Sequence, residues 1–279
     1  MFDITIQGKT IQFEPSTINW LQKRDFFAIE ALDGLKCFMK KYSKKPSAWD
    51  LAVSLIGQTG TNMPMVYDAV YDRANKNYYV FFEYVRGATL KEYILNGDVP
   101  DPLTVFNHIG LALSTIHSKG YWFSDFNEEN IFVTAGFIKR FILIDIDSCW
   151  KQSIRPNPYF DQEGGIPGAA QNIGKHILKY YEKYLPSPQG IVTYKDIPGV
   201  NLNYLQLLVL CIKLNIFRSR KAVDLRFRYI DAGNFQDIYD IIYNCDKQFS
   251  KGVFTLAKDE NKNIKKVVET LIDRIITKK

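Results

Sequence analysis

The sequence predicts an α+β protein whose strands come first and whose helices follow. Residues 1–42 and 66–85 hold short runs with alternating apolar residues, the period of half-buried strands. From Asp101 onward, apolar residues recur every three or four positions, as at Val105, Ile109, Leu113 and Ile116, the period of a helix with one buried face. Between these regions lie two short apolar runs, Ile131–Val133 and Phe141–Ile144, separated by Ala135-Gly136, which read as a β-hairpin. With 279 residues the chain suits one large domain or two packed lobes and can bury a sizeable core.

In chain order, FDITIQ, TIQFE, INWL, FFAIEA and LKCFMKKY are expected strands, with Asp33-Gly34 as the hairpin turn before the last. Pro46 followed by SAWDLAVSLIGQTG reads as a helix with Pro at its start and Gly near its end. Val66–Val70 and Tyr78–Val85 make a second hairpin around Asp72–Asn77. Asp101-Pro102 opens a helix that Gly120 ends after Ser118, with His108 and His117 as ordinary helix residues. IRPNPYFDQEGGIPGAA is rich in Pro and Gly and is expected as loop, whereas Asn172–Tyr184 and VVETLIDRIITKK look helical. Arg218, Arg220, Lys221, Arg226 and Arg228 face only Asp224 in sequence and read as a solvated helix face. There is no internal repeat.

Composition narrows the function classes. Hydrophobic content of 46% beside 24% charged residues is that of a globular protein. A net charge of +6 is mild: it admits an anionic ligand and does not announce a nucleic-acid binder. Cysteines 37, 149, 211 and 245 have neither metal nor disulfide spacing, which fits a reducing compartment. MFDITIQGK has no signal-peptide character, and the longest apolar run, Leu205–Leu214, is too short to span a bilayer. A cytoplasmic location is the expectation.

The chemistry concentrates in Tyr121–Trp150. The loop Ser124–Asn130 carries Asp125 and, five residues on, Asn130, and the second run of the hairpin ends in Asp145-Ile146-Asp147. Since a hairpin holds its ends side by side, three carboxylates and a carboxamide should share one small volume. Asp and Asn are ordinary turn formers, but like charges that close require a cation. Hard oxygen ligands suit Mg²⁺ holding a phosphate chain.

SDFNEENIFV followed by FILIDID resembles the catalytic loop and metal-binding segment of the protein-kinase-like superfamily, in which H-R-D-x-x-x-x-N precedes D-F-G. The resemblance, to an atypical bacterial-type kinase or a pseudokinase, implies a two-lobed fold. Residues 1–86 would form a β-rich N-lobe with one helix, and 87–279 a mainly helical C-lobe. It makes Asp125 the catalytic residue, Asn130 and Asp145 metal ligands, and Lys40 the strand lysine that orders the phosphates. Asp147 stands where the Gly of D-F-G would be and is a rival metal ligand. The helix after Pro46 lacks the Glu that pairs with the lysine, leaving Asp50 as its acid. Glu83 and Val85 would offer backbone hydrogen bonds to adenine, with Phe82 behind them. Asn203 takes the place of the Asp that braces the catalytic loop, at the start of what would be the buried central helix of the C-lobe. Other departures are Phe123-Ser124 in place of His-Arg, Asn127 in place of Lys, and Gln22-Lys23-Arg24-Asp25 where the glycine-rich loop would be. Residues 151–200 would be an activation segment, with Tyr159 a conceivable phosphosite.

The implied function is ATP/Mg²⁺-dependent phosphotransfer to protein Ser/Thr hydroxyls. The alternatives are a pseudokinase that binds nucleotide or protein partners, and a small-molecule kinase of the aminoglycoside or choline type, which often carries an acid two residues after the metal Asp. The implied partners are ATP and a protein or small-molecule phosphoacceptor.

Overall fold

The computed structural model describes the strand segments 2–6, 9–13, 19–20 and 26–30 and residues 36–154, 197–219 and 253–277. The Asp33-Gly34 turn, Gln22–Asp25, Tyr159, Asn172–Tyr184, Arg220, Lys221, Arg226, Arg228 and Cys245 lie outside them.

The described chain is a mixture of helices and small antiparallel sheets. β1 (Phe2–Ile6) and β2 (Lys9–Phe13) pair with each other. β3 (Asn19–Trp20), β4 (Phe26–Glu30), β5 (Lys36–Tyr42), β6 (Val66–Asp72) and β7 (Asn77–Glu83) form a five-stranded sheet in the order β3-β4-β5-β7-β6. β5 is thereby central, pairing with β4 on one side and β7 on the other. Its alternation puts Phe38, Lys40 and Tyr42 on one face and Cys37 and Met39 on the other.

The helix expected after Pro46 is shorter than its sequence pattern. α1 spans only Trp49–Ser54. Gly57 then takes a left-handed φ of 71°, and Ile56 forms a parallel bridge to Val66. The sheet edge thus claims backbone that another helical turn would have used. β8 (Gly87–Thr89) leads into α2 (Leu90–Leu95), whose N-cap Thr89 exchanges hydrogen bonds with Glu92 in a capping box. α3 (Pro102–Ser118) is capped by Asp101, which accepts from the Thr104 amide at 3.0 Å.

β9 (Tyr121–Phe123) pairs with β12 (Cys149–Lys151), and the expected hairpin is β10 (Ile131–Thr134) with β11 (Phe141–Leu143). It gains a third strand, because β8 pairs with the other edge of β10. Gly87 makes that approach possible: a Cβ there would lie 2.1 Å from the Val133 carbonyl oxygen. α4 (Gly199–Ser219), α5 (Val253–Ala257) and α6 (Lys265–Thr277) complete the described elements.

α4 is buried along its whole first half, from Asn201 through Ile212. Val105, Ile109, Leu113 and Ile116 of α3 are each fully buried, on the face the sequence period selects. One apolar cluster runs from Leu51, Val66 and Phe82 through α2, α3 and α4 to Leu271 of α6, and so crosses residues 86–87 without a break. Among the described residues, no helix is long and apolar enough to cross a membrane.

Candidate functional site

The site forms where β5 meets the end of the β10–β11 hairpin. Lys40, almost wholly buried, sends its Nζ to Oδ1 of both Asp145 and Asp147, more than a hundred residues along the chain. The two carboxylates follow β11 directly, and each is about a quarter exposed. Asp145 sits in the left-handed region at φ 69°, a strained conformation for a non-glycine residue. A short 3-10 turn, Ile146–Ser148, follows and returns a hydroxyl hydrogen bond from Ser148 to Asp145 Oδ2 at 3.1 Å. The turn also donates the Ser148 amide to the Asp145 carbonyl at 2.9 Å.

The electrostatics follow from one ammonium between two carboxylates. Burial opposes the charge on Lys40, but Asp147 and Asp145 outweigh it and hold the ammonium above its ordinary value. Burial pushes both acids up. For Asp145 the attraction of Lys40 and its hydrogen bonds win, leaving it below the usual carboxylate range. For Asp147 burial and repulsion from Asp145 win, leaving it above. The shared ammonium thus favours the ionised form of Asp145 more than that of Asp147, and the two titrate as a pair. The Tyr42 hydroxyl is buried on the same face of β5, beside these carboxylates, without an aligned hydrogen-bond partner among the described residues.

Asp125 lies across from this pair, on the loop between β9 and β10. The Asn127 carboxamide donates to Asp125 Oδ1 at 2.7 Å, and its own oxygen caps the 3-10 turn at the amides of Glu129 and Asn130, 2.8 and 3.1 Å away. Asn130 donates through Nδ2 to the Asp125 carbonyl at 2.8 Å, while its own carbonyl accepts from the Ile144 amide at 2.9 Å. That last bond joins the loop to the strand that delivers Asp145. Burial raises Asp125, the hydrogen bonds from Asn130 and Asn127 lower it, and the charges of Asp145 and Glu129 raise it again. The net result is above the ordinary value.

The loop is braced from beneath. The Asn203 carboxamide accepts from the Phe123 amide at 2.9 Å and donates to the Phe123 carbonyl at 2.6 Å. It also meets His117 Nε2 at 3.1 Å. Ser124 bonds the Ser148 carbonyl through its amide and its hydroxyl, at 3.0 and 2.6 Å. Gly199 lets α4 approach Trp122, whose ring a Cβ would enter at 2.2 Å.

Several expectations need correction. Asp50 does not turn to Lys40: it lies on the exposed side of α1, opposite the buried Leu51 and Ala52, and accepts from Lys45 at 2.9 Å. Three carboxylates do not close on one point. Asp145 and Asp147 meet at Lys40, whereas Asp125 is held back by Asn127, and among the described residues no group of three His, Cys, Asp or Glu side chains is spaced to hold a metal. The amide of Glu83 already donates to the Met65 carbonyl at 2.8 Å and so is not open to a ligand. Glu83 and Val85 line a depression of about 410 Å³ with Lys36, Arg86, Ala135 and Arg140, which contains none of the Lys40 group.

Sequence reasoning passed over Tyr42, Ser148 and Asn62. Asn62, at φ 52°, donates to the His108 carbonyl at 3.2 Å and accepts from Arg140 at 3.2 Å. Its own carbonyl takes the Leu143 amide at 2.9 Å. It ties the loop before β6 to α3 and the hairpin, and the Gly60-Thr61-Asn62 turn is its one signal in the sequence.

Asp145 and Asp147 offer carboxylate oxygens, and Asn130 keeps a carboxamide Oδ1 that receives no protein hydrogen bond among the described residues. Two carboxylates and a carboxamide suit Mg²⁺, which takes few protein ligands and completes its shell with water and phosphate.

No family model matches the chain, and no curated protein matches it. Among solved structures, a chain of the yeast RNA polymerase II CTD kinase CTDK-1 complex is similar at 14% identity, over 74% of this chain and 64% of that one, with a TM-score of 0.48. The match therefore spans less than two thirds of that chain's length.

Proposed function

We propose that the chain is an ATP- and Mg²⁺-dependent phosphotransferase with a two-lobed, protein-kinase-like architecture, acting in the cytoplasm on protein Ser/Thr hydroxyls. The observation that carries this reading is the convergence of Lys40, from the middle of a sheet, on Asp145 and Asp147, with Asp125 held apart from them by Asn127 on the neighbouring loop.

Asp145, Asp147 and Asn130 would hold Mg²⁺, which supplies charge neutralisation for the β- and γ-phosphates. Were a metal to take up the carboxylate charge, the Lys40 ammonium would be available to phosphate oxygens. Asp125 accepts the proton of the acceptor hydroxyl as that oxygen bonds to the γ-phosphorus and the bond from the γ-phosphorus to the β–γ bridging oxygen breaks, releasing ADP. Its raised pKa strengthens it as a base, and the Asn127 and Asn130 bonds fix its direction. The Glu83 carbonyl and Val85 are the groups offered to adenine.

One observation favours the second reading, a pseudokinase. Lys40 already pairs with both acids, so each carboxylate has a cationic partner without a metal. Thermal unfolding with millimolar ATP, with and without Mg²⁺, beside incorporation of labelled γ-phosphate into a generic protein acceptor and ATP hydrolysis, separates the two. A metal-dependent shift with turnover is the expected result. A shift without transfer or hydrolysis selects the pseudokinase, and no shift removes the nucleotide site.

A further inference from the structure

The most exposed large apolar residues among those described lie at the tip of the β10–β11 hairpin. Phe137 is 103% exposed and Ile138 80%. Neither helps to hold the hairpin, whose turn is closed by the Arg140 amide on Thr134 Oγ1 at 3.0 Å and the Thr134 amide on the Arg140 carbonyl at 3.0 Å. Side chains of this size in full contact with water mark a surface built to be covered.

The surroundings of the tip carry one sign of charge. Lys139 and Arg140 follow directly, and Arg86 is brought alongside by its carbonyl, which accepts from the Ala135 amide at 2.9 Å. All three are exposed, and none forms an ion pair among the described residues. Arg140 donates only to the uncharged Asn62. The acid lining the adjacent depression, Glu83, turns its carboxylate to the Met65 amide at 3.2 Å. A protruding pair of apolar side chains above unpaired cations matches the two layers of an anionic membrane surface, acyl boundary beneath and phosphates above. A protein partner would need a pocket shaped to the tip, whereas a bilayer accepts any convex apolar wedge.

We propose that this tip is a peripheral membrane anchor. Phe137 and Ile138 enter the headgroup–acyl boundary of an anionic bilayer, and Arg86, Lys139 and Arg140 bind the lipid phosphates. At roughly 3.4 Å per strand residue, Thr134 stands about 13 Å from Asn130, so the anchor and the Lys40 cluster occupy opposite ends of the hairpin. The anchor stands apart from the phosphotransferase reading.

The test is sedimentation of the full chain with phosphatidylcholine vesicles, with and without phosphatidylserine. Binding should appear on the anionic vesicles and weaken with added salt. Phe137→Ser combined with Ile138→Ser should lower the partition coefficient about tenfold, and Lys139→Glu should lower it as well. Phe137→Trp should retain binding and add a blue-shifted emission component, relative to the wild-type chain, when anionic vesicles are present. No sedimentation, equal binding to neutral and anionic vesicles, an unchanged partition in the double serine variant, or an added indole emission in Phe137→Trp that is indifferent to vesicles would each overturn the proposal.

Discussion

At the residue scale, the Lys40 cluster makes the three aspartates distinguishable. Asp145→Asn removes the more readily ionised ligand and should weaken Mg-ATP binding by about tenfold or more, read by calorimetry. On the proposed reading, Asp125→Asn should leave that affinity nearly intact while abolishing most transfer, because Asp125 bonds Asn127 and is not part of the Lys40 group. If Asp147→Asn loses Mg-ATP while Asp145→Asn keeps it, Asp147 is the principal ligand. Asp125 also sets the pH dependence. Its folded pKa is raised, so the stability it contributes is present below its unfolded pKa and lost as pH rises through the folded one. Asp125→Asn should therefore melt no lower than wild type at neutral pH. As a base Asp125 must be ionised, so kcat/KM should fall on the acid side through a pKa above the ordinary 3.8. Asn127→Ala, which removes a bond to the ionised form, should move that limb further up, and a downward movement would count against the assignment.

At the element scale, Asn203 decides how α4 supports the loop that carries Asp125. A carboxamide can accept from the Phe123 amide and donate to the Phe123 carbonyl at once, which a carboxylate cannot. Asn203→Ala leaves two buried backbone groups unpaired and should cost on the order of 3 kcal/mol in denaturant unfolding. Asn203→Asp should also destabilise, because it sets an anion against a carbonyl oxygen. An Asp variant as stable as wild type would remove this account. α3 depends on a second local device. Asp101 is buried in part, yet its bonds from Thr104 and the charge of Arg218, 2.7 Å away, hold it below the ordinary carboxylate range. This stability is present above the unfolded pKa and lost as pH falls through the folded one. Asp101→Ala should cost about 1 kcal/mol at neutral pH.

At the scale of the whole molecule, ligand and proton linkage test whether site and core act as one unit. Mg-ATP at about a hundredfold its dissociation constant should stabilise the fold by roughly 2.7 kcal/mol, and a chelator should cancel the gain. His117 responds to acid. Burial lowers its imidazole to about 4, offset only partly by Asn203. The unfolded chain takes up that proton first, so stability should decline as pH falls from 6.5 towards 4. Since His117 touches Asn203 and Asn203 holds Phe123, acid weakening should reach the loop that carries Asp125, visible as faster amide exchange at Phe123 than in β7. Uniform exchange would uncouple the two.

The sequence by itself determined the local elements. Alternation marked β5 and β7, the Asp101-Pro102 start and three-to-four spacing marked α3, and two apolar runs around Ala135-Gly136 marked the β10–β11 hairpin. Local backbone preference and one-sided burial are written in neighbouring residues, so these needed no partner to be seen. Asp125, Asn130 and Asp145 were legible as candidates through their spacing within a loop and a hairpin, and Lys40 through the resemblance of its strand to the protein-kinase-like pattern. Which of them touch was decided only in the tertiary structure. That Lys40 reaches Asp145 and Asp147 and not Asp50 depends on which side of α1 packs against the core, which leaves Asp50 exposed beside Lys45. That Asn127 holds Asp125 away from the other two acids depends on a 3-10 turn whose hydrogen bonds no spacing announces. Contacts between residues a hundred positions apart are selected by how buried surfaces close on one another, and a linear pattern records the surfaces without recording the closure.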